Sequence, residues 1–173
     1  SIYLSTIYFK KYTFSIRSVV DMYIVSNEML ALIEKFNIKI AQKYNLIIVN
    51  SSKSEEMLKG QYYLIKFEEV EFIEVLDLEK SIFEQEYPDT IDEIKRLELL
   101  EKVDLDFFII SELRMDFKTP ICSGEFKKQY EFMSLDGVEF YDIHTAAWLN
   151  GSRAEIEYIM KKTGEVIPFV NPI

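Results

Sequence analysis

Asp116, Glu125 and Lys127 form a D…E-x-K pattern, the residue set with which restriction-like nucleases hold Mg²⁺ and polarise a phosphate. That chemistry needs the Glu and the Lys on one strand, pointing the same way. Here both follow Ser123, in what reads as the first turn of a helix, and a chain with 29% charged residues produces such triplets by composition. His144, in Asp142-Ile143-His144-Thr145, is the single histidine. A triad would need it as base, and Asp142 could orient its ring, as any backbone carbonyl could. Zinc would need a second His or a Cys pair, and the sequence has neither. There is no Gly-x-Ser-x-Gly elbow, and Gly60, Gly124, Gly137, Gly151 and Gly164 stand singly rather than in a phosphate-cradling loop. No coherent catalytic set emerges. The expectation is a non-enzymatic binding protein with no cofactor or metal; the alternative is a metal-dependent nuclease built on Asp116, Glu125 and Lys127.

Charge has more leverage than these motifs. Glu68, Glu69, Glu71, Glu74, Asp77 and Glu79 come without an intervening base, and Glu84, Glu86, Asp89, Asp92 and Glu93 follow around Tyr87 and Pro88. Residues 67–116 hold 17 acidic and 5 basic side chains, a net −12, against +4 for residues 1–66 and −2 for residues 117–173. The middle third therefore accounts for the whole excess behind the net charge of −10. Such a field repels nucleic acid and anionic membrane and attracts a basic protein. One reading is a solvated face that confers solubility. The other is a surface complementary to a cationic partner, with Glu68, Glu71, Glu74, Asp77, Glu84, Glu86, Asp89, Asp92 and Glu93 supplying charge and Tyr87 an anchor. Trp148, in Ala146-Ala147-Trp148-Leu149, is either a core residue or a second anchor.

The elements that must position these residues are organised around Asp21–Phe36. Met22–Val25 reads as a buried strand and Ser26 as the N-cap of a helix with Glu28 in its first turn. Met29, Leu32, Ile33 and Phe36 fall at i, i+3, i+4 and i+7, one apolar stripe. The same grammar returns in Pro120–Met133, where Ser123, Glu125, Phe126, Tyr130 and Met133 align with Ser26, Glu28, Met29, Ile33 and Phe36. Strands are expected within Ser1–Val20, at Leu46–Val49, Gln61–Phe67, Val70–Leu76 (paired with Gln61–Phe67), Asp106–Ser111 and Gly137–Tyr141. Gly60 should close a short helical or irregular stretch, Ser81–Pro88 should be a turn, and 51–54 a polar loop. Ile94–Val103 is ambiguous by periodicity. Ser152 should cap a closing helix, Arg153–Lys162, stopped by Gly164, with Val166–Val170 extended after it.

The apolar run, Ser-x-Glu, helix and following Gly-hydrophobic-x-Phe segment resemble bacterial immunity proteins of polymorphic-toxin systems, in a family long catalogued as a domain of unknown function. Ile121, Ser123, Glu125, Phe126, Gly137, Val138 and Phe140 carry the match, and it extends over about Asp21–Tyr141. The resemblance places a strand in Ile94–Val103, so that stretch is read as extended. It implies a protein that binds and neutralises a cognate toxin domain. Many toxin domains bind nucleic acid through basic clefts, which an acidic inhibitor can occupy.

Elements mix without a steady βαβ rhythm, so the fold class is α+β: a mixed or antiparallel sheet, two repeated strand–helix units near 21–50 and 119–141, and a C-terminal helix. A length of 173 residues with 49% hydrophobic content suits one domain over 1–173 and argues against disorder. A single cysteine, Cys122, cannot form an intrachain disulfide; it reads as a small buried hydrophobe and agrees with a cytoplasmic location. No apolar run reaches the ~18–20 residues of a membrane span, and Ser1–Val20, broken by Lys10, Lys11 and Arg17, lacks the order of a secretory signal.

Overall fold

The computed structural model describes residues 2–6, 15–19, 21–50, 55–85, 87–113, 119–144 and 161–164. In chain order the elements are β1 (Ile2–Thr6), β2 (Ile16–Val19), β3 (Met22–Ser26), α1 (Asn27–Lys35), β4 (Ile40–Asn50), β5 (Glu55–Phe67), α2 (Phe72–Val75), β6 (Ile82–Glu84), β7 (Glu93–Arg96), β8 (Phe107–Phe108), β9 (Ile121–Cys122) and α3 (Gly124–Phe132). Five strands make one sheet in the order β1-β4-β5-β3-β2; its pairs are antiparallel except β1 with β4. Two small antiparallel ladders, β6-β7 and β8-β9, complete a mixed α+β architecture. Of the closing helix expected over 153–162, Lys161 and Lys162 are helical, and Gly164 follows at φ 73, the left-handed conformation that commonly ends a helix. The 51–54 loop, the Ser152 cap and the extended segment after 165 lie outside the described residues.

Helix α1 forms where the cap and stripe predict. Ser26 Oγ accepts from Met29 N at 3.2 Å, and Met29, Leu30, Leu32 and Ile33 bury the stripe against the sheet. Each such fully buried aliphatic side chain contributes about 1.5–3 kcal/mol. Ser123 does the same for α3, accepting from Phe126 N at 3.1 Å while its hydroxyl donates to Asp106 Oδ1 at 2.6 Å. The two helices also stop alike. Asn37 and Ser134 adopt φ 52 and 53, and Ile38 N and Leu135 N reach back to Ile33 O and Tyr130 O. Their strands differ, however: β3 lies inside the five-stranded sheet, whereas β9, among the described residues, pairs with the two residues of β8 alone. Changing Ser26 or Ser123 to alanine should each cost about 0.5–2 kcal/mol in urea unfolding, because each strands a backbone donor. No loss in either variant would argue against capping.

Four expectations are corrected. Gly60 closes nothing; it lies inside β5, where the partner of Leu46 is Tyr62 but that of Ile47 is Lys59. The bulge takes up Gly60 and Gln61, a use of glycine within a strand. Val70–Leu76 is not a strand on Gln61–Phe67. Phe72, Val75 and Leu76 stand at i, i+3 and i+4, and that helical set prevails over the even-position alternation, so α2 forms there. A distant residue helps: Glu112 Oε2 accepts from Phe72 N at 3.1 Å. Ser81–Pro88 holds β6, whose Phe83 packs on Phe72 with ring centroids 5.7 Å apart. Gly137–Tyr141 joins no ladder; Gly137 sits at φ 99, and Phe140 lays its ring against Tyr130 instead. The extended reading of Ile94–Val103 holds at β7 and at the Leu99 bridge to Leu76.

Buried residues form two clusters that share one wall. Phe107 and Ile109 join the core under α1 and α3, while Phe108 and Ile110 join the core of α2 and the 91–97 segment. Strand alternation thus makes 107–110 the partition between them. Aromatic rings tie the first core together: Tyr23 to Phe67, Phe67 to Phe107, Phe107 to Phe126 and Phe126 to Phe36, at centroid distances of 5.1, 4.7, 5.3 and 5.3 Å.

Candidate functional site

Glu125 and Lys127 stand in the first turn of α3, and a separation of two residues points their side chains about 200° apart around the helix. Each is engaged locally. Glu125 pairs with Lys128 at 3.8 Å, and Lys127 pairs with Glu131 at 3.8 Å beneath its approach to the Phe140 ring. They do not converge on one phosphate, and Asp116 lies outside the described residues. His144 has two carboxylate contacts. Its backbone N donates to Asp142 Oδ1 at 2.9 Å, while the ring Nδ1 lies 3.2 Å from Glu98 Oε2. Among the described residues, no group of three His, Cys, Asp or Glu side chains is placed to hold a metal ion.

Cys122 is half-buried rather than fully buried, and desolvation pushes its thiol up to about 11 against a weaker opposing pull from Lys127. Alkylation by iodoacetamide at pH 8 should therefore run at least about tenfold slower than that of a free cysteine and accelerate towards pH 11. Fast labelling at pH 7 would reveal an accessible thiolate.

The acidic stretch divides into side chains that hold the fold and side chains that do not. Asp77 belongs to the first kind. Its Oδ1 accepts from Glu79 N and Lys80 N at 3.2 and 3.3 Å, and its Oδ2 meets Lys80 Nζ at 2.7 Å. The Lys80 ammonium holds its carboxyl below the usual range, against opposition from desolvation. Glu84 and Glu93 share Lys95, at 2.7 and 3.7 Å, and the pair raises the Lys95 pKa. Glu68 stands 3.9 Å from Lys39. Asp92 is half-buried, with its backbone N on Glu84 O. Glu71, Glu74, Glu79 and Asp89 are exposed, with no ion pair among the described residues. Tyr87 is 59% exposed. Glu86 and Trp148 lie outside the described residues.

Sequence reading missed the apolar companions of these acids. Ile73, Leu78 and Ile82 are 56%, 50% and 49% exposed, on α2, on the turn after it and on β6. The Phe72–Phe83 contact brings α2 and β6 side by side, and Asp77 N on Glu98 O docks the turn beside β7. One available signal was a large aliphatic residue flanked by acid, as in Asp77-Leu78-Glu79.

The model of the immunity protein family Imm11 matches residues 15–145 of the 173. The chain belongs to the Imm11 immunity protein family. The match spans β2 to His144, so both capped helices and the acidic stretch lie within the matched residues. Membership makes immunity the function class and implies a toxin as partner. Among curated proteins none matches the chain. Within the described part of this Imm11 chain, no helix is long and apolar enough to cross a membrane.

Proposed function

We propose that this Imm11 protein neutralises a basic toxin in the cytoplasm by covering it with the face built from α2, the 77–81 turn, β6 and Tyr87, without catalysis of its own. The observation that carries this reading is the pairing of four large apolar side chains, each about half exposed or more, with acids that have no ion pair among the described residues: Ile73, Leu78, Ile82 and Tyr87 among Glu71, Glu74, Glu79 and Asp89. Exposed apolar groups within a polar surround mark interaction sites, and charge around them sets encounter rate and partner sign. A basic protein fits; nucleic acid and anionic membrane are repelled by net −10. The nuclease alternative lacks comparable support, because Glu125 and Lys127 diverge on α3. Co-producing the chain with the toxin domain encoded beside its gene should restore growth and give a stable complex on co-purification. Growth arrest that persists with both proteins soluble would overturn the reading.

A further inference from the structure

The second place where this molecule offers something unspent is a cavity of about 280 Å³ at the junction of the two cores. Met29 of α1, Leu99, Phe107, Ile121, Val138 and Phe140 give it an apolar wall. It lies beside the two-residue β8-β9 ladder, with Phe107, Ile121 and Cys122 of that ladder in its lining. Its volume falls just under the roughly 300–1,000 Å³ of small-molecule sites, so it suits one side chain rather than a cofactor-sized ligand.

Polar groups at the cavity restrict the occupant. Tyr130 forms part of the wall, and its buried hydroxyl has the Val138 N–H near it but no well-formed hydrogen bond among the described residues. Burial, helped by the Asp136 charge and opposed by the Val138 N–H, pushes that phenol well above its usual range, so it keeps its proton. Glu139 and Asp142 stand at the rim with His144, whose ring faces the Glu98 carboxylate at 3.2 Å. Arg96 lies 3.9 Å from Glu98, and Lys127, over the Phe140 ring, pairs with Glu131, so carboxylates still outnumber fixed cations here and favour a cationic neighbour over a phosphate or carboxylate ligand. Glu98 also connects the rim to the acidic face. Its carbonyl accepts from Asp77 N at 2.8 Å and from Ser81 Oγ at 3.1 Å, while Leu99 beside it both lines the cavity and bridges Leu76.

We infer that the cavity is the pocket for the toxin's anchor: one apolar side chain, presented next to a lysine or arginine, inserted while the neighbouring acidic face covers the surrounding basic surface. The inference rests on the immunity reading and deepens it. An anchor in a desolvated pocket governs how slowly a complex comes apart, whereas exposed charge governs how fast it forms.

The test therefore separates the two rates. In Val138→Trp the indole fills the cavity from its rim, and in Cys122→Leu extra methyl groups fill it from the inner wall. Both should leave the circular dichroism spectrum native, keep the association rate with the toxin domain, and raise the dissociation rate by about tenfold or more. Unchanged dissociation in both folded variants would overturn the inference while leaving the acidic-face reading intact. A wild-type chain that binds no toxin would sink the immunity reading itself. A probe independent of the toxin guards against variants that fail to fold. Benzylamine, an apolar ring with a cationic head, should shift the Met29 methyl resonance of the wild-type protein saturably, and benzoate should not. No saturable shift would overturn the cavity as a receptor. Saturation by benzylamine with toxin kinetics untouched by cavity filling would make it a small-molecule site and overturn the toxin assignment. A dimer that dissociates in Val138→Trp would name a second copy as the occupant and overturn it too.

Discussion

Replacing Phe67 by alanine is expected to cost about 3–5 kcal/mol of unfolding free energy, a large share of the roughly 5–15 kcal/mol that a native domain holds. Phe67 ends β5, is 2% exposed, and is the ring through which the five-stranded sheet reaches the other half of the first core. Tyr23 lies on one side at 5.1 Å and Phe107 on the other at 4.7 Å, and Phe107 passes the contact on to Phe126 of α3. Truncation removes the buried ring and leaves a void that aromatic neighbours fixed on two different elements cannot close. Urea unfolding should show a lower midpoint with an unchanged slope. Ile73→Ala is the control: its side chain is 56% exposed, and surface substitutions of this kind stay within about ±0.5 kcal/mol. A loss below about 1 kcal/mol in Phe67→Ala would mean that the sheet and α3 are joined by something other than this line of rings.

The other large effect concerns rate rather than stability. Glu71→Gln, Glu74→Gln, Glu79→Gln and Asp89→Asn together remove four charges that have no ion-pair partner among the described residues. Association with the toxin domain should slow by about tenfold at low ionic strength, within the 10–10³ range that steering supplies. Its dependence on salt should flatten, because less long-range attraction remains to be screened. Any one of these changes should barely register, exposed charges being worth about 0–1 kcal/mol singly. Neutralising Glu84 and Glu93 instead should slow association less, since Lys95 already offsets them, and neutralising Asp77 should loosen the 77–80 turn as well. Folding of the fourfold variant should survive, as none of the four carboxylates makes an ion pair among the described residues. Unchanged association across salt concentrations would make the acidic stretch a solvated face, and the docking surface would have to be sought away from it.

Local chemistry was legible in the residues wherever a short segment decides its own conformation. Ser26 and Ser123 could be recognised as caps because a cap needs only a hydroxyl one turn before an orphan N–H, and the stripe of Met29, Leu32 and Ile33 because a helix places i, i+3 and i+4 together whatever surrounds it. The excess of acid in residues 67–116 was equally plain, since charge adds without reference to structure. The run that carries the resemblance to immunity proteins is of the same local kind, and the Imm11 match covers it. Tertiary structure decided the rest. Residues 70–78 satisfy a two-residue and a helical periodicity at once, and the choice fell to α2 with Glu112, forty residues away, accepting from Phe72 N. Gly60 could have ended a helix, but β4 drew it into a bulge of β5; Gly137–Tyr141 alternates like a strand, yet Phe140 packs on Tyr130 and the segment joins no ladder. The same holds for the acids. Asp77, Glu84 and Asp89 are interchangeable in composition, but lysines at 80 and 95 engage two of them and leave the third exposed. Sequence fixes which groups carry charge or apolar surface; which of them remain unspent depends on partners that only the folded chain brings within reach.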